Sequence, residues 1–227
     1  MMIQETFADY RAAPGLNFST LKTIIPGYIK PKTVYSMNFG KIFHEFVLEP
    51  DVFNKNQKIY ALSLSKKDYD SLTPMREALI NFPGGHIWNF AHKLILGPKL
   101  LSRIQEPSFY TKYALKRNII DLKGRFDLVI NWGTQNPIIC DLKTIWWDEA
   151  GEDDLKSYFY DYQMAYYSLI YEICYVVVPR VMVCFISKKP PYKVTAYQIK
   201  REEIQARQKE LHNLIERYHG TNIHNTI

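Results

Sequence analysis

The sequence predicts an α/β fold in which a central mixed β-sheet is flanked by helices. Helix-spaced apolar residues dominate residues 1–107, and β-rich runs separated by turn residues occupy most of 108–200. A long helical segment interrupts those runs, and an amphipathic helix is expected over 201–227. This order of helices, strands, helix, strands and helix favours one α/β domain. We therefore expect residues 1–227 to fold as a single domain, for which 227 residues are sufficient.

Helices account for the first part of the chain. The segment NFSTLKTIIPGY predicts a short helix that starts at a polar cap and ends before a Pro-Gly pair. Over 37–49, apolar residues recur with the period of a helix and a proline follows, so an amphipathic helix is expected. Residues 51–107 are irregular and helical in pattern, with helix-like apolar spacing at 66–82 and 88–104.

Strands dominate the second part of the chain. Residues 107–118 alternate in the manner of a strand, and 124–132 and 136–144 are β-rich runs separated by turn residues. A helix is expected from about 152 to 175. Two further strands, VMVCFIS and YKVTAYQI, are separated by a Lys-Lys-Pro-Pro turn, and the helix REEIQARQKELHNLIERYHG follows them.

The composition favours an anionic partner. The formal net charge is +6 and the pI is about 9.0, which argues for nucleic acid or another anion and says nothing about fold. No apolar run is long enough to span a bilayer, and the N-terminus lacks the pattern of a signal peptide. We therefore expect a cytoplasmic protein with no membrane partner. The three cysteines lie far apart in apolar runs, which favours buried thiols over a zinc or iron–sulfur site.

The tripeptide Asp-Leu-Lys occurs three times, at 121–123, 141–143 and 154–156. The last copy opens a predicted helix, where acidic residues suit the helix dipole, and the first has no apolar run before it. The copy at 141–143 follows Pro-Ile-Ile-Cys, so a buried strand places Asp141 and Lys143 on one face. A buried carboxylate and ammonium are costly unless they are paired or bound to a cation. This copy is therefore the candidate for chemistry.

A second carboxylate is expected beside Asp141. If 124–131 and 138–143 pair as a hairpin, Asp127 comes close to Asp141, and two close carboxylates repel unless a proton or metal lies between them. Oxygen ligands favour Mg²⁺ or Mn²⁺, and Mg²⁺ binds phosphate oxygens, so the pair suits phosphodiester hydrolysis. A surface hairpin with an Asp141–Lys143 ion pair, worth at most about 1 kcal/mol, explains the pattern equally well.

Four motifs occur in order over residues 37–167: GKIFHEFVLEPD, GRFD, DLKT and YDYQMAYY. Together they resemble the PD-(D/E)xK nuclease superfamily, and within it the RecB-type and exonuclease VIII (RecE-like) phage exonucleases, to which lambda exonuclease is related. The resemblance implies a restriction-endonuclease-like core and Mg²⁺-dependent, processive 5′-to-3′ digestion of double-stranded DNA ends, with Mn²⁺ able to substitute. It also implies a ring-shaped homo-oligomer, trimer or tetramer, a single-strand annealing protein as recombination partner, and the cytoplasm of a bacterial or phage-infected host cell.

The resemblance assigns roles at the metal. His44 matches the histidine of a Gly-x3-His motif, Asp127 the acidic residue of Gly-x-x-Asp, and Asp141 the first residue of Asp-x-Lys. All three would lie at the metal, and the Leu142 carbonyl would complete the ligand shell. Lys143 would orient the attacking water and stabilise charge that develops on the phosphate. A histidine at the edge of the core is the alternative for His44.

A helix face and a tryptophan pair are further candidates. Gln163 and Tyr167 match a Gln-x3-Tyr motif and share a helix face with Tyr160, where they would line the site or contact DNA. Packing of the tyrosines on the sheet is the alternative for Tyr160 and Tyr167. Trp146 and Trp147 follow the active strand and could stack on a terminal base pair, although core or oligomer packing explains them as well.

The segment LNFSTLKTIIPGYIKP looks like the one that holds the 5′-phosphate in lambda-type exonucleases. It would place Ser19, with Arg11 or Lys22, at the terminal phosphate, and Ser19 as a helix-start residue is the alternative. Arg125, inside GRFD, is a phosphate contact or a solvated charge. GRFD also departs from the commoner Gly-Arg-Pro-Asp, which we expect to change the entry into the strand and not the chemistry.

Three other functions remain open at this point. An endonuclease of the same fold would cut closed circular DNA, which an exonuclease leaves intact. A catalytically silent DNA-binding module would retain duplex binding without metal-dependent cleavage. A scaffold protein that assembles through its tyrosine-rich surface would show no salt-dependent affinity for DNA.

Overall fold

The computed structural model describes residues 2–3, 5–29, 34–83, 103–115, 118–148 and 150–224. The protein has a mixed α/β fold with two β-sheets flanked by helices, and one of the sheets contains both parallel and antiparallel strand pairs. The predicted fold class is therefore confirmed.

The first 83 residues are mainly helical, as predicted. Their helices are α1 (Phe7–Ala12), α2 (Phe18–Leu21), α3 (Val34–Leu48), α4 (Pro50–Ser63) and α5 (Lys66–Asn81). Asn17 caps α2 by accepting a hydrogen bond from the Thr20 backbone N–H at 2.9 Å, which confirms the polar start of the first predicted helix.

The helices expected over 37–49 and 66–82 are confirmed as α3 and α5. Helix α4 lies where the sequence pattern was irregular. Its first position is a proline, whose fixed backbone angle suits a helix start, and it buries Phe53 and Tyr60 two turns apart. The helix expected over 88–104 lies outside the described residues, except for its last two positions, which belong to a strand.

The strands form a larger sheet with the order β2-β5-β6-β7-β8 and a smaller one with the order β1-β3-β4. Strands β6 and β7 are parallel, and the other pairs are antiparallel. The strands are β1 (Met2–Ile3), β2 (Arg103–Gln105), β3 (Ser108–Leu115), β4 (Asn118–Arg125), β5 (Leu128–Ile130), β6 (Ile138–Ile145), β7 (Arg180–Ser187) and β8 (Val194–Ile199).

The chain crosses from one sheet to the other inside the GRFD motif. The sequence predicted one continuous strand here, but β4 ends at Arg125 and β5 begins at Leu128, so Phe126 and Asp127 form the crossing. Phe126 is fully buried, and this tertiary packing overrides the local strand pattern. Strand β5 pairs antiparallel with β6, with Leu128 opposite Cys140, which confirms the predicted hairpin.

The helix expected over 152–175 is divided in two. Helix α6 (Glu152–Ser157) ends before α7 (Tyr160–Tyr175), and Phe159 between them has a left-handed backbone with φ of 59°. The C-terminal helix is confirmed as α8 (Arg201–His224), which packs along α7. No helix in the described ranges combines the length and apolarity needed to cross a bilayer.

Strand β6 separates two hydrophobic cores. Cys140 and Leu142 are buried in the core formed with α3, α4 and α5, while Ile139 belongs to the core formed with α7 and α8. Side chains alternate along a strand, so Asp141 and Lys143 lie on the α7 side. Of the cysteines, Cys140 and Cys184 are buried thiols as expected, and Cys174 is half-buried.

Candidate active site

Asp141 and Lys143 form a buried ion pair in the second half of β6. Lys143 Nζ lies 2.5 Å from Asp141 Oδ2, and the two side chains are 17% and 2% exposed. Because Leu142 points into the opposite core, the apolar strand holds the charged pair rigidly against α7. The arrangement differs from a surface ion pair, since both groups have lost most of their water.

Asp127 lies beside this pair, at the crossing into β5. Its Oδ2 accepts a hydrogen bond of 2.6 Å from the Leu142 backbone N–H, which fixes the carboxylate to strand β6. His44, near the end of α3, places Nδ1 3.4 Å from the same oxygen. The structure therefore brings His44, Asp127, Asp141 and Lys143 close together, and their roles at a metal stay a prediction.

Glu106 is a site residue that the sequence analysis missed. Ligand atoms of His44, Glu106 and Asp127 all lie within 4.8 Å of one another, a grouping that could hold a metal ion. Glu106 follows β2, and its backbone N–H donates to the Asp127 carbonyl at 3.0 Å. Its only signal in the sequence is a carboxylate directly before a predicted strand, because the pairing that brings it to Asp127 is not encoded locally.

The ionisation of the cluster reflects crowded acidic groups. Burial raises the pKa of Glu106 to about 8, and the neighbouring Asp127 charge adds to this effect. Burial opposes protonation of His44, but the Asp127 carboxylate outweighs it and raises the pKa of the imidazole to about 9. Burial of Glu106 and the Asp127 carboxylate beside His44 thus keep both groups protonated near neutral pH.

The buried pair on β6 shows the same competition. Burial raises the pKa of Asp141 to about 6, although the Lys143 ammonium opposes this shift. For Lys143, burial favours the neutral amine, but Asp141 and Asp127 together outweigh it and raise its pKa above the usual range. Lys143 is therefore charged at physiological pH, which suits electrostatic stabilisation better than proton abstraction.

The donor set fits a hard divalent cation. The carboxylates of Asp127 and Glu106, which form the grouping with His44, are the kinds of ligand that Mg²⁺ and Mn²⁺ prefer, and Asp141 lies outside that grouping. Asp141 Oδ2 is buried and accepts no hydrogen bond of normal geometry from the described residues, although the ammonium of Lys143 lies beside it. That oxygen keeps electron pairs available for a cation. The role of the Leu142 carbonyl as a ligand stays a prediction.

On α7, Gln163 lies beside Asp141, and Tyr167 contacts Gln163. Gln163 Nε2 lies 3.4 Å from Asp141 Oδ1 and donates to the Tyr167 hydroxyl at 2.8 Å. The Tyr167 ring also packs on Phe126, with centroids 4.5 Å apart, so it serves the core as well as the site. Tyr160 lies on the same helix, with its ring centroid 5.1 Å from Lys143 Nζ.

Tyr160, Gln163 and Tyr167 line a cleft of 660 Å³ whose wall carries cations, carboxylates and aromatic rings. Lys143, His44, Glu106 and Asp127 line the same cleft, and Asp141 is not among its lining residues. Of the predicted phosphate contacts, Ser19 and Lys22 line the cleft, whereas Arg11 is not among its lining residues. Burial lowers the pKa of Lys22 to about 8, and the Lys143 charge contributes. Lys188, which the sequence analysis did not consider, lines the cleft with its Nζ 4.4 Å from the Trp146 ring.

The two tryptophans occupy the cleft wall. Trp146 is 43% exposed, and the Trp147 ring stacks on Tyr158 with centroids 5.5 Å apart. Tyr158 in turn stacks on Tyr160 at 5.7 Å, so aromatic rings extend from Trp147 towards Lys143. Stacking of DNA bases on this wall stays a prediction.

Arg125 is directed away from solvent. Its side chain is 6% exposed and forms ion pairs with Glu106 at 2.7 Å and Glu49 at 3.0 Å. Its guanidinium contacts are all with protein groups, two carboxylates and the Glu5 carbonyl, so this position favours a role within the protein over a contact with DNA phosphate.

The other two Asp-Leu-Lys copies have structural partners. Lys123 is buried and donates to backbone carbonyls at the end of α1, including Tyr10 O at 2.9 Å. Asp121, two residues earlier on β4, is exposed and pairs with Lys112 at 3.1 Å. Asp154 accepts a hydrogen bond from the Gly151 backbone N–H at 2.8 Å at the start of α6, as the helix-dipole argument predicted.

Comparisons with known proteins give a likeness in fold. No protein-family model and no curated protein matches the chain. Among solved structures, a protein from Eubacterium rectale titled "Putative exonuclease" is 10% identical, with a TM-score of 0.58 over 92% of this chain and 74% of that one. The structure of SSO0001 is 14% identical with a TM-score of 0.38, covering 87% of this chain and 81% of that one, which is too low to support an argument.

Proposed function

We propose that this chain is a divalent-metal-dependent exodeoxyribonuclease that hydrolyses phosphodiester bonds at the ends of linear double-stranded DNA. One observation carries the proposal. The buried Asp141–Lys143 ion pair lies beside Asp127 and His44, and Lys143 shares one cleft with His44, Glu106 and Asp127. The fold shared with a protein titled as an exonuclease supports it.

In this proposal the acidic residues hold the ion and the lysine stabilises the phosphate. Asp127, Asp141, Glu106 and His44 would hold Mg²⁺ or Mn²⁺, with the Leu142 carbonyl as a further ligand. A bound divalent ion supplies Lewis-acid stabilisation of charge on the scissile phosphate. Lys143 remains protonated, so it orients the attacking water and stabilises the added negative charge by its own field.

The size of the cleft supports attack at an end. A volume of 660 Å³ lies within the range of roughly 300–1,000 Å³ that is typical of sites for small ligands, so it suits a few nucleotides of one strand. Lys22 and Ser19 line the cleft with Lys143, where they would bind the terminal phosphate of that strand. The 5′-to-3′ polarity is part of the proposal and follows the motif resemblance.

The assembly and biological setting are also proposed from the motif resemblance. A ring of three or four copies would enclose duplex DNA and allow processive digestion. The single-stranded product would pass to an annealing protein during phage-type recombination in a bacterial cytoplasm. The net charge of +6 supports salt-dependent attraction to DNA whatever its sequence.

The test uses linear duplexes labelled at either end, with and without a 5′-phosphate, beside a closed circle, in Mg²⁺. We expect release of nucleotides from linear DNA and an intact circle, and Asp141→Asn should abolish cleavage while leaving DNA binding. Asp121→Asn and Asp154→Asn change the other two copies of the tripeptide and should remain active. Cutting of the circle would instead establish an endonuclease, and duplex binding without any cleavage would establish a silent binding module.

A further inference from the structure

The guanidinium of Arg125 joins three separate segments of the chain. Nε donates to Glu106 Oε2 at 2.7 Å, Nη2 to Glu49 Oε1 at 3.0 Å, and Nη1 to the Glu5 carbonyl at 3.1 Å. These partners belong to the turn between β2 and β3, the α3–α4 junction and the segment before α1. Since hydrogen bonds to charged groups are about twice as strong as neutral ones, the three contacts form a firm attachment.

Glu106 depends on this attachment for its direction. Its backbone is left-handed, with φ of 49°, a conformation that is unfavourable for a non-glycine residue and persists where surrounding contacts impose it. Its backbone N–H is held by the Asp127 carbonyl. Within the described part of the chain, Arg125 is the hydrogen-bond donor to its carboxylate. The backbone and side chain of Glu106 are thus fixed from two sides.

We propose that Arg125 is a positioning residue for the metal centre, holding the Glu106 carboxylate beside Asp127 and His44. The inference rests on the proposed function, because it needs a metal at that cluster. Arg125 acts through Glu106, to which it donates a hydrogen bond. A planar fork with three nitrogens can serve three partners at once, whereas the single ammonium of a lysine cannot reproduce this geometry.

The test is a double-mutant cycle on direct Mn²⁺ binding, measured by the electron paramagnetic resonance signal of free Mn²⁺. Arg125→Met should weaken Mn²⁺ binding about 10- to 100-fold, the usual effect of losing a group that orients a ligand. Glu106→Gln changes the ligand itself and should weaken Mn²⁺ binding at least as much. The double variant should bind no more weakly than Glu106→Gln alone. Losses that add, or an Arg125→Met variant that binds Mn²⁺ like the wild type, would overturn the inference.

Arg207 provides a matched control. It donates to Asp161 at 2.6 Å and Glu210 at 2.8 Å with a side chain 28% exposed, and it does not line the cleft. Arg207→Met should lower the melting temperature and leave Mn²⁺ affinity unchanged. An equal loss of Mn²⁺ in Arg207→Met would attribute the effect to general destabilisation and overturn the inference.

A conservative variant covers the case in which Arg125→Met does not fold. Arg125→Lys keeps the charge and one contact, so it should bind Mn²⁺ about tenfold more weakly than the wild type. Wild-type affinity in Arg125→Lys, with Arg125→Met unfolded, would overturn the positioning role while leaving the nuclease proposal in place. A wild-type protein that binds no Mn²⁺ would overturn both.

Discussion

Replacing Lys143 with methionine would leave the carboxylate of Asp141 buried without its cation. Removing one partner of a buried ion pair typically costs about 3–5 kcal/mol, and the Asp141 side chain is only 2% exposed. We therefore expect Lys143→Met to lower the free energy of unfolding by about that amount at pH 8, in a chelator that removes metal ions.

The loss should depend on pH in a defined direction. The pKa of Asp141 is about 6 in the folded protein against 3.8 as its ordinary value, and Lys143 holds it down, so Lys143→Met raises it further. Between the unfolded and folded pKa values the folded state binds more protons, so the variant regains stability as the pH falls. Lys143→Met should thus be closer to wild type at pH 5 than at pH 8.

Urea denaturation at both pH values measures this difference. Lys156→Met is the matched control, because Lys156 ends another Asp-Leu-Lys copy and pairs with Glu152 on the surface at 2.6 Å. Solvent screens an exposed pair of this kind, so the control should stay near wild type at both pH values. The reasoning is refuted if Lys143→Met is as stable as wild type at pH 8, or loses the same amount at pH 5.

Three further results are expected. In chelator, the His44–Asp127 interaction should stabilise the fold by roughly 3 kcal/mol below about pH 6.5, and this stabilisation is lost as the pH rises through about 9. Urea titrations across this pH range should show the loss, and His44→Gln should remove this pH dependence. Gly124→Ala would bring a Cβ to 2.9 Å from the Phe126 ring and should destabilise by about 1–3 kcal/mol in the same assay. If wild-type cleavage favours 5′-phosphorylated ends, Lys22→Met should reduce that preference in end-labelled digestion, and an unchanged preference would remove Lys22 from the phosphate site.

The sequence was most informative where chemistry and burial coincide on one strand. An apolar run leading into Asp141 and Lys143 was enough to choose one tripeptide among three, and the turn before it was enough to pair the hairpin that brings Asp127 close. These features depend on residues near one another in the chain.

Other parts of the site depend on contacts between distant segments. Glu106 joins Asp127 through the pairing of β2 with β5, whose register no local pattern sets. Arginine is a common residue at DNA contacts, but the side chain of Arg125 is oriented by ion pairs with Glu49 and Glu106, which lie far from it in sequence. The break in the strand at Phe126 likewise follows from the burial of its ring.

Two carboxylates of the cluster stand on the paired crossings that connect the sheets. The chain leaves the larger sheet at Glu106 and returns to it at Asp127, and the crossings are joined by backbone hydrogen bonds of 3.0 Å from Glu106 N to Asp127 O and 3.1 Å from Phe126 N to Pro107 O. Any sliding of one sheet against the other would therefore displace the carboxylates of Glu106 and Asp127 at the same time. Protein engineers who wish to insert a peptide should therefore choose the exposed turn residues 133–136, at the far end of the hairpin, where added length leaves this junction intact.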